Sequence, residues 1–144
     1  MATTRLLDYI YWAHRFLSEL ESMPRDYGTG EALYASYIHT VVAVHKDPGC
    51  NLTNLARALG ISKAAVSKLV AKLIQQGYLK KYKAVDNKRD VLFSVTTKGQ
   101  TAVQGHEEFE RITFEPLITA ELALSPQDRS AIESYFKDLF SRLT

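Results

Sequence analysis

One stretch of the sequence combines small, hydroxyl-bearing and basic side chains on one side of a predicted helix that begins at Ser62. Its apolar residues recur at the spacing of a buried helix face, at Val66, Leu69, Val70 and Leu73. The opposite face carries Ser62, Lys63, Ala64, Ser67, Lys68, Ala71 and Lys72. Such a face fits a DNA major groove, where hydroxyls and lysines can contact base edges and phosphates. The chemistry indicated is recognition of DNA.

A basic hairpin is predicted directly after this helix. The apolar spacing changes to the alternation of strands over 78–85 and 91–96. The polar turn between them places Lys88 and Arg89 at its tip, where cations can reach a minor groove or its phosphates. The alternative is an ordinary charged turn in solvent.

The charges of the chain are segregated around these two elements. Residues 52–98 contain ten Lys or Arg and two Asp, a net charge of +8 within a chain of net charge +2. The remaining residues therefore carry −6. A basic block between acidic flanks is typical of a surface that binds a polyanion, although a solvated lysine-rich surface is the simpler alternative.

Helices are predicted on both sides of the basic block. Residues 4–21 form an amphipathic helix with two apolar stripes, so wide that a partner subunit would naturally cover it. A loop at Pro24 and residues 28–30 precedes a second helix over 31–46. A fifth helix opens at 96 or 97.

Local signals set the ends of several helices. Thr53 is the predicted N-cap of a short third helix, which ends at Gly60 in the left-handed conformation. Ile61 is expected to fill the angle between this helix and the next. Pro116 is expected to kink or break the fifth helix, and Ser125 to cap the sixth. The fold class predicted is mainly α with a small β-hairpin, a winged helix-turn-helix with flanking dimerisation helices.

Composition narrows the function further. The single cysteine, Cys50, excludes an intrachain disulfide and suits a reducing compartment, and we expect it to be inert rather than a redox sensor. The N-terminal residues lack a signal-peptide core and no apolar run could span a bilayer, so a cytoplasmic protein is expected. No local catalytic motif appears, so neither an enzyme nor a cofactor is predicted.

Residues 51–99 resemble the DNA-binding core of the MarR (multiple antibiotic resistance regulator) family. The motifs that carry the resemblance are Leu55-Ala56, Leu59-Gly60-Ile61-Ser62, Val66-Ser67 with Leu69, Gly77-Tyr78-Leu79, the wing Asn87-Lys88-Arg89, and Val95-Thr96-Thr97-Lys98-Gly99. The order of helices extends the likeness over the whole chain. One departure is Asn87, which stands where the family usually has an acid.

The resemblance implies a homodimer, built from helices in 1–30 and 97–144, that presents two reading heads, residues 31–96, to a pseudo-palindromic operator. Arg89 would enter the minor groove, and Ser62, Lys63, Ala64, Ser67 and Lys68 would face the major groove. Lys72 and Lys80 or Lys81 would lie nearer the phosphates. The implied function is a sequence-specific transcription regulator, a repressor that a small ligand could release.

Members of such a family often hold a small aromatic or phenolic ligand near the dimer helices. The residues that could line such a pocket here are Tyr9, Trp12, Phe16, Tyr34, Tyr37 and His39, although an aromatic stripe is more often core. His106 and Glu110 have the spacing of a metal-ligand pair, but no Cys/His cluster supports zinc and no metal is predicted. A redox- or zinc-sensing regulator and a winged helix that contacts protein remain alternatives.

Overall fold

The computed structural model describes residues 5–86 and 89–143, and the predicted tip residues Asn87 and Lys88 lie outside them. The described chain is mainly helical, with two short antiparallel strand pairs. In chain order its elements are α1 (Arg5–Ser22), β1 (Arg25–Asp26), β2 (Ala32–Leu33), α2 (Ala35–Lys46), α3 (Leu52–Leu59), α4 (Lys63–Gln75), β3 (Leu79–Lys83), β4 (Val91–Val95), α5 (Thr97–Leu122) and α6 (Pro126–Leu143). This order confirms the predicted fold class.

The start of the second helix was predicted wrongly. Helix α2 begins at Ala35, because residues 25–26 and 32–33 instead pair as β1 and β2. The Asp26 carboxylate accepts hydrogen bonds from the backbone N–H groups of Thr29 and Gly30, at 2.8 and 3.0 Å, and closes the turn between the strands. A short acidic side chain that bonds its own backbone competes with helix formation in this way.

The helix-turn-helix is formed by α3 and α4. Asn51, not Thr53, caps α3: its side chain accepts from the backbone N–H of Asn54 at 2.9 Å, and the Asn54 side chain accepts from the N–H of Asn51. Gly60 ends α3 at φ +66°, in the predicted left-handed conformation. Ser62 caps α4 as predicted.

Ile61 does not fill the angle between α3 and α4, since 40% of its surface is exposed. The expectation was wrong because apolar residues within the helices themselves supply the core. Leu55 of α3 and Val66 of α4 are buried, as are Ile38 and Val41 of α2. The core beneath the helix-turn-helix therefore comes from three helices rather than from the turn.

The hairpin is an antiparallel pair in which Leu79 lies opposite Val95 and Lys83 opposite Val91. A third piece of extended chain joins it at Cys50, which forms an isolated bridge with Phe93. The hairpin is thus attached to the segment that leads into α3.

The last two helices begin where the sequence places them. The Thr96 hydroxyl accepts from the N–H of Gly99 at 3.1 Å, and the Ser125 hydroxyl accepts from the N–H of Asp128 at 3.1 Å. Pro116 does not break α5, which runs continuously through it. Because this part of α5 is exposed, water can bind the carbonyl that the missing N–H leaves unpaired.

Backbone contacts divide the chain into two compact units, one through Glu107 and one from Glu108. The boundary lies within α5, and the predicted division at 30 and 96 stays a prediction. Helices α1 and α6 have no buried residue in the single chain. No helix of the described chain is long and apolar enough to cross a membrane.

Candidate nucleic-acid interface

Helix α4 separates a core face from an exposed face. Val66, Val70 and Leu73 have at most 3% of their surface exposed, whereas Leu69 is half-buried. The predicted contact residues of this helix are all exposed: Ser62, Lys63, Ala64, Ser67, Lys68 and Lys72, together with Ala71. The division of faces predicted from spacing is therefore confirmed.

The N-terminus of α4 is held by Ser62. Its Oγ atom accepts from the backbone N–H of Ala65 at 3.2 Å, while its carbonyl accepts from the N–H of Val66 at 3.0 Å. The cap fixes the first turn, where Lys63 and Ala64 begin the exposed face, and Ser67 continues that face in the next turn. A helix N-terminus is also favourable for a nearby phosphate, because its free N–H groups carry partial positive charge.

The strands of the wing, residues 79–95, present further lysines. Lys80, Lys81 and Lys83 are exposed on β3. Lys81 and Lys83 lie opposite Phe93 and Val91, whereas Lys80 lies opposite Ser94. Because side chains alternate between the two faces of a strand, Lys80 and Lys81 project to opposite sides of the hairpin. These two lysines therefore cannot both lie on the face of the hairpin that contacts DNA.

Arg89 is exposed in the turn of the wing. Lys88 beside it lies outside the described residues. Arg89 follows the exposed end of β3 and precedes β4, so the guanidinium belongs to the part of the wing farthest along the hairpin from Leu79 and Val95. Its position agrees with a tip residue, and its role in the minor groove stays a prediction.

Most of the residues predicted to line a ligand pocket are exposed, and their role stays a prediction. Tyr9 and Trp12 touch edge to face on α1, with ring centroids 5.5 Å apart, and both are exposed. Phe16 and Tyr34 are exposed as well, and Tyr37 is half-buried. An open apolar groove is formed instead by α5 and α6, where Leu117, Leu124, Ile132, Phe136 and Phe140 are among its lining residues.

The histidine candidates lie near one another beside α2. His106 is 5% exposed and its ring packs against those of Tyr27 and His39, with centroids 5.4 and 5.5 Å away. His39 itself is exposed. Within residues 5–86 and 89–143, no three His, Cys, Asp or Glu side chains are grouped as a metal site requires. The zinc-sensing alternative gains no support from the described chain.

Cys50 is buried, with 3% of its surface exposed. Burial raises the pKa of its thiol to about 11, and the nearby carboxylate of Asp47 acts in the same direction. The thiolate is the reactive form, so this environment suits an inert cysteine, as expected from the sequence, and disfavours the redox-sensing alternative.

The sequence reasoning missed a polar cluster at the C-terminal end of α4. The Lys98 ammonium lies 2.8 Å from a carboxylate oxygen of Glu31 and donates to the carbonyl of Gln76 at 2.9 Å. The hydroxyl of the buried Tyr78 donates to Glu31 at 3.3 Å and lies 2.9 Å from the hydroxyl of Thr29. The only sequence motif that pointed to this cluster is Val95–Gly99, which contains Lys98 but none of the residues it contacts.

Comparisons with known proteins agree with this arrangement. The MarR family model matches residues 33–91. The HTH-type transcriptional regulator PchR of Bacillus subtilis (strain 168) is 28% identical over 109 residues, which cover 74% of this chain and 63% of that protein. The chain thus spans less than two thirds of that relative. The uncharacterized HTH-type transcriptional regulator YhjH of the same organism is 26% identical over 128 residues, 88% of this chain and 73% of its own length.

Solved structures share the fold. Lactococcus lactis ZitR, wild type in complex with DNA, is similar with a TM-score of 0.77 at 18% identity, over 99% of this chain and 100% of that one. Streptococcus pneumoniae FabT in complex with DNA gives a TM-score of 0.75 at 18% identity, over 96% and 95% of the two chains. The match of the MarR family model, over residues 33–91, takes in the helix-turn-helix and the wing as far as the first residue of β4, and the solved structures share the fold over nearly the whole chain.

Proposed function

We propose that this protein is a sequence-specific, DNA-binding transcription regulator that reads the major groove with the exposed face of α4. In this proposal Ser62, Lys63, Ala64, Ser67 and Lys68 lie against base edges and the adjoining phosphates. Lys72, one of Lys80 and Lys81, and the tip residues Lys88 and Arg89 contact the DNA backbone or the minor groove. The regulator would act in the cytoplasm.

One observation carries the proposal: α4 is buried on one side and wholly exposed on the other, and the exposed side is basic and free of bulky groups. Small residues let a helix approach base edges closely, and lysines beside them supply phosphate contacts. The relatives described above are regulators by name, and ZitR and FabT were solved with DNA. Binding of DNA through the exposed face of α4 is the simplest explanation for the difference between its two faces.

The test is fluorescence anisotropy with a labelled, mixed-sequence DNA duplex at two salt concentrations. Binding through phosphates releases counterions, so affinity should fall steeply as salt rises. A duplex enriched by the protein from a pool of genomic fragments should then bind more tightly than the mixed duplex at the same salt. Absence of salt-dependent binding would contradict the proposal and favour a winged helix that contacts protein.

The protein would act as a homodimer. Helices α1 and α6 expose large apolar side chains, among them Trp12 at 66%, Phe16 at 47%, Phe136 at 41% and Phe140 at 60%. Helices that expose this many large apolar side chains are unusual in a monomer and typical of an interface. A two-fold dimer would place two α4 helices about 34 Å apart, one turn of DNA, and the operator would be pseudo-palindromic.

The family resemblance alone supports two further points: whether the protein represses or activates transcription, and which kind of ligand controls it. We infer repression, in which the dimer occupies an operator, and release by a small aromatic or phenolic ligand. Its contacts would come from Tyr9, Trp12, Phe16, Tyr34, Tyr37 or His39. Thermal unfolding of the protein with a panel of phenolic carboxylates tests this, because a ligand that binds the native state raises the unfolding temperature.

A further inference from the structure

We propose that Lys98 is a positioning residue for DNA reading: it holds the C-terminal end of α4 against the first turn of α5 and so fixes the angle at which α4 is presented. The inference rests on the proposed function, because it concerns the same helix. It assigns a role to residues that touch no DNA in that proposal.

The Lys98 ammonium has three partners on three different segments. It donates to the carbonyl of Gln76, the C-cap residue of α4, at 2.9 Å. It forms an ion pair with Glu31 at 2.8 Å, and it lies 4.4 Å from the ring centroid of Tyr78. A cation at a helix C-terminus is favourable, because the last carbonyls carry partial negative charge. Lys98 therefore connects α5 to three segments: the end of α4, the residue before β3, and the residue before β2.

The second half of the cluster fixes Glu31 in turn. The buried hydroxyl of Tyr78 donates to one carboxylate oxygen of Glu31 while Lys98 holds the other. Tyr78 also shares a hydrogen bond with Thr29, whose backbone N–H is held by Asp26. The β1–β2 turn is thus connected, bond by bond, to the end of α4.

The backbone on either side of Lys98 packs closely against the residues that follow α4. The Thr96 hydroxyl donates to the carbonyl of Gly77 at 2.6 Å, and the Thr96 N–H donates to that of Tyr78 at 3.0 Å. A Cβ atom at Gly99 would collide with the Tyr78 carbonyl. The first turn of α5 therefore rests directly on the chain that leaves α4, and Lys98 extends this contact to α4 itself.

A direct phosphate contact is the competing role for a lysine in this basic block. The Lys98 side chain is 30% exposed, and its ammonium is already bound to Glu31 and Gln76. The two roles differ in their salt dependence: each lost phosphate contact lowers the magnitude of the slope of log affinity against log salt by about 0.9. A positioning residue changes affinity without changing that slope.

Two variants test the inference, Lys98→Met and Glu31→Ala, with Glu21→Ala as the matched control. Glu21 is an exposed acid at the end of α1. Removing an acid should slightly strengthen binding to a polyanion if only net charge matters. We expect Glu31→Ala instead to weaken binding of a duplex selected by the wild-type protein about tenfold. Glu21→Ala should leave that affinity unchanged or slightly higher.

Lys98→Met should show the same loss, an unchanged salt slope, and affinity for a mixed-sequence duplex within about twofold of wild type, since loose electrostatic binding needs little orientation. Lys98→Arg should restore much of the loss. Circular dichroism at the assay temperature shows whether each variant is folded. If Lys98→Met is unfolded, the affinities of Glu31→Ala and Lys98→Arg for the selected duplex test the inference in its place.

The inference is overturned if folded Glu31→Ala binds the selected duplex as tightly as wild type, or if Lys98→Met lowers the magnitude of the salt slope by about 0.9. Either result leaves the proposed function standing. Failure of the wild-type protein to bind any duplex with salt dependence is a different result, and it removes the proposed function itself.

Discussion

Cys50 and Phe93 form a β-bridge that attaches the wing to the segment leading into α3. The Phe93 N–H donates to the Cys50 carbonyl at 3.0 Å, and the Gly49 N–H donates to the Phe93 carbonyl at the same distance. Both side chains are 3% exposed. The two parts of the candidate interface, wing and helix-turn-helix, therefore share one backbone contact and one patch of core.

The Cys50 thiol should react slowly in the native protein. Burial raises its pKa to about 11, against about 8.5 for a free cysteine, and only the thiolate is nucleophilic. At neutral pH we expect alkylation by iodoacetamide to be at least about a hundredfold slower than in urea, from the difference in thiolate fraction. Since Cys50 is the one cysteine of the chain, mass spectrometry reads it directly. Equal rates in both states would revive the redox-sensing alternative.

Ser62 and Ser67 should have separable effects although both are exposed serines of one helix. Ser62 caps α4 through the N–H of Ala65, so Ser62→Ala should lower the free energy of unfolding by about 1 kcal/mol. Ser67→Ala should leave stability within about 0.5 kcal/mol of wild type and alter the preferred sequence. Urea unfolding measures the first effect and duplex selection the second. A stability loss for Ser67→Ala as large as that for Ser62→Ala would contradict its assignment to the DNA face.

Local chemistry made most of the candidate interface predictable from sequence. Gly60 and Ser62 signal the turn and the cap through their own backbone and side-chain preferences, and the apolar spacing of α4 separates its two faces. The sequence predicts Thr53 as the cap because threonine is a good capping residue, but Asn51 forms a reciprocal pair of hydrogen bonds with Asn54 and caps the helix instead. The prediction thus had the right helix start to within two residues but named the wrong capping residue.

Contacts between distant segments were not predictable in the same way. No spacing in the sequence relates Glu31 to Lys98, and the two meet only because the β1–β2 turn replaces the first turn of the predicted helix. Ile61 is predicted to be buried because an apolar residue in such a turn often packs between the two helices. In the structure, buried residues of α2 contribute to this core instead, and a local sequence pattern does not reveal which distant helix packs there. Tertiary packing decides both outcomes.

Arg89 should contribute one phosphate contact or its minor-groove equivalent. Arg89→Ala should weaken binding of a selected duplex and lower the magnitude of the salt slope by about one. Lys137→Ala is the control, because it also removes one positive charge but lies on α6, beside Glu133 at 3.5 Å. Anisotropy titrations over a series of salt concentrations measure both slopes. An unchanged slope for Arg89→Ala would exclude the proposed role of the wing tip.

The Glu31–Lys98 pair should stabilise the fold only between two pH limits. The hydrogen bond from Lys98 lowers the pKa of Glu31, so this contribution is present above the pKa of the unfolded carboxyl and is lost as pH falls through the folded value. The hydrogen bond to Glu31 raises the pKa of Lys98, so its contribution is lost only as pH rises through that higher value. Glu31→Gln should therefore be less stable than wild type at pH 7, and the difference should shrink as pH falls below the range of an ordinary carboxyl and vanish once pH is below the lowered pKa of Glu31. Urea unfolding across pH measures it, and a difference that persists at low pH would show that packing rather than charge is at work.

The exposed apolar helices should be sites of dimer contact. Phe140 of α6 is 60% exposed and Trp12 of α1 is 66% exposed. Because a two-fold dimer carries each substitution twice, Phe140→Asp should weaken association by about 3 kcal/mol or more, roughly a hundredfold. Val85→Asp is the control: Val85 is 93% exposed in the wing, outside α1, α5 and α6. Sedimentation equilibrium should give a dimer for wild type and Val85→Asp and a shift toward monomer for Phe140→Asp and Trp12→Asp. A wild-type monomer at every concentration would leave the apolar faces of α1 and α6 to a different partner, and the pseudo-palindromic operator would no longer follow.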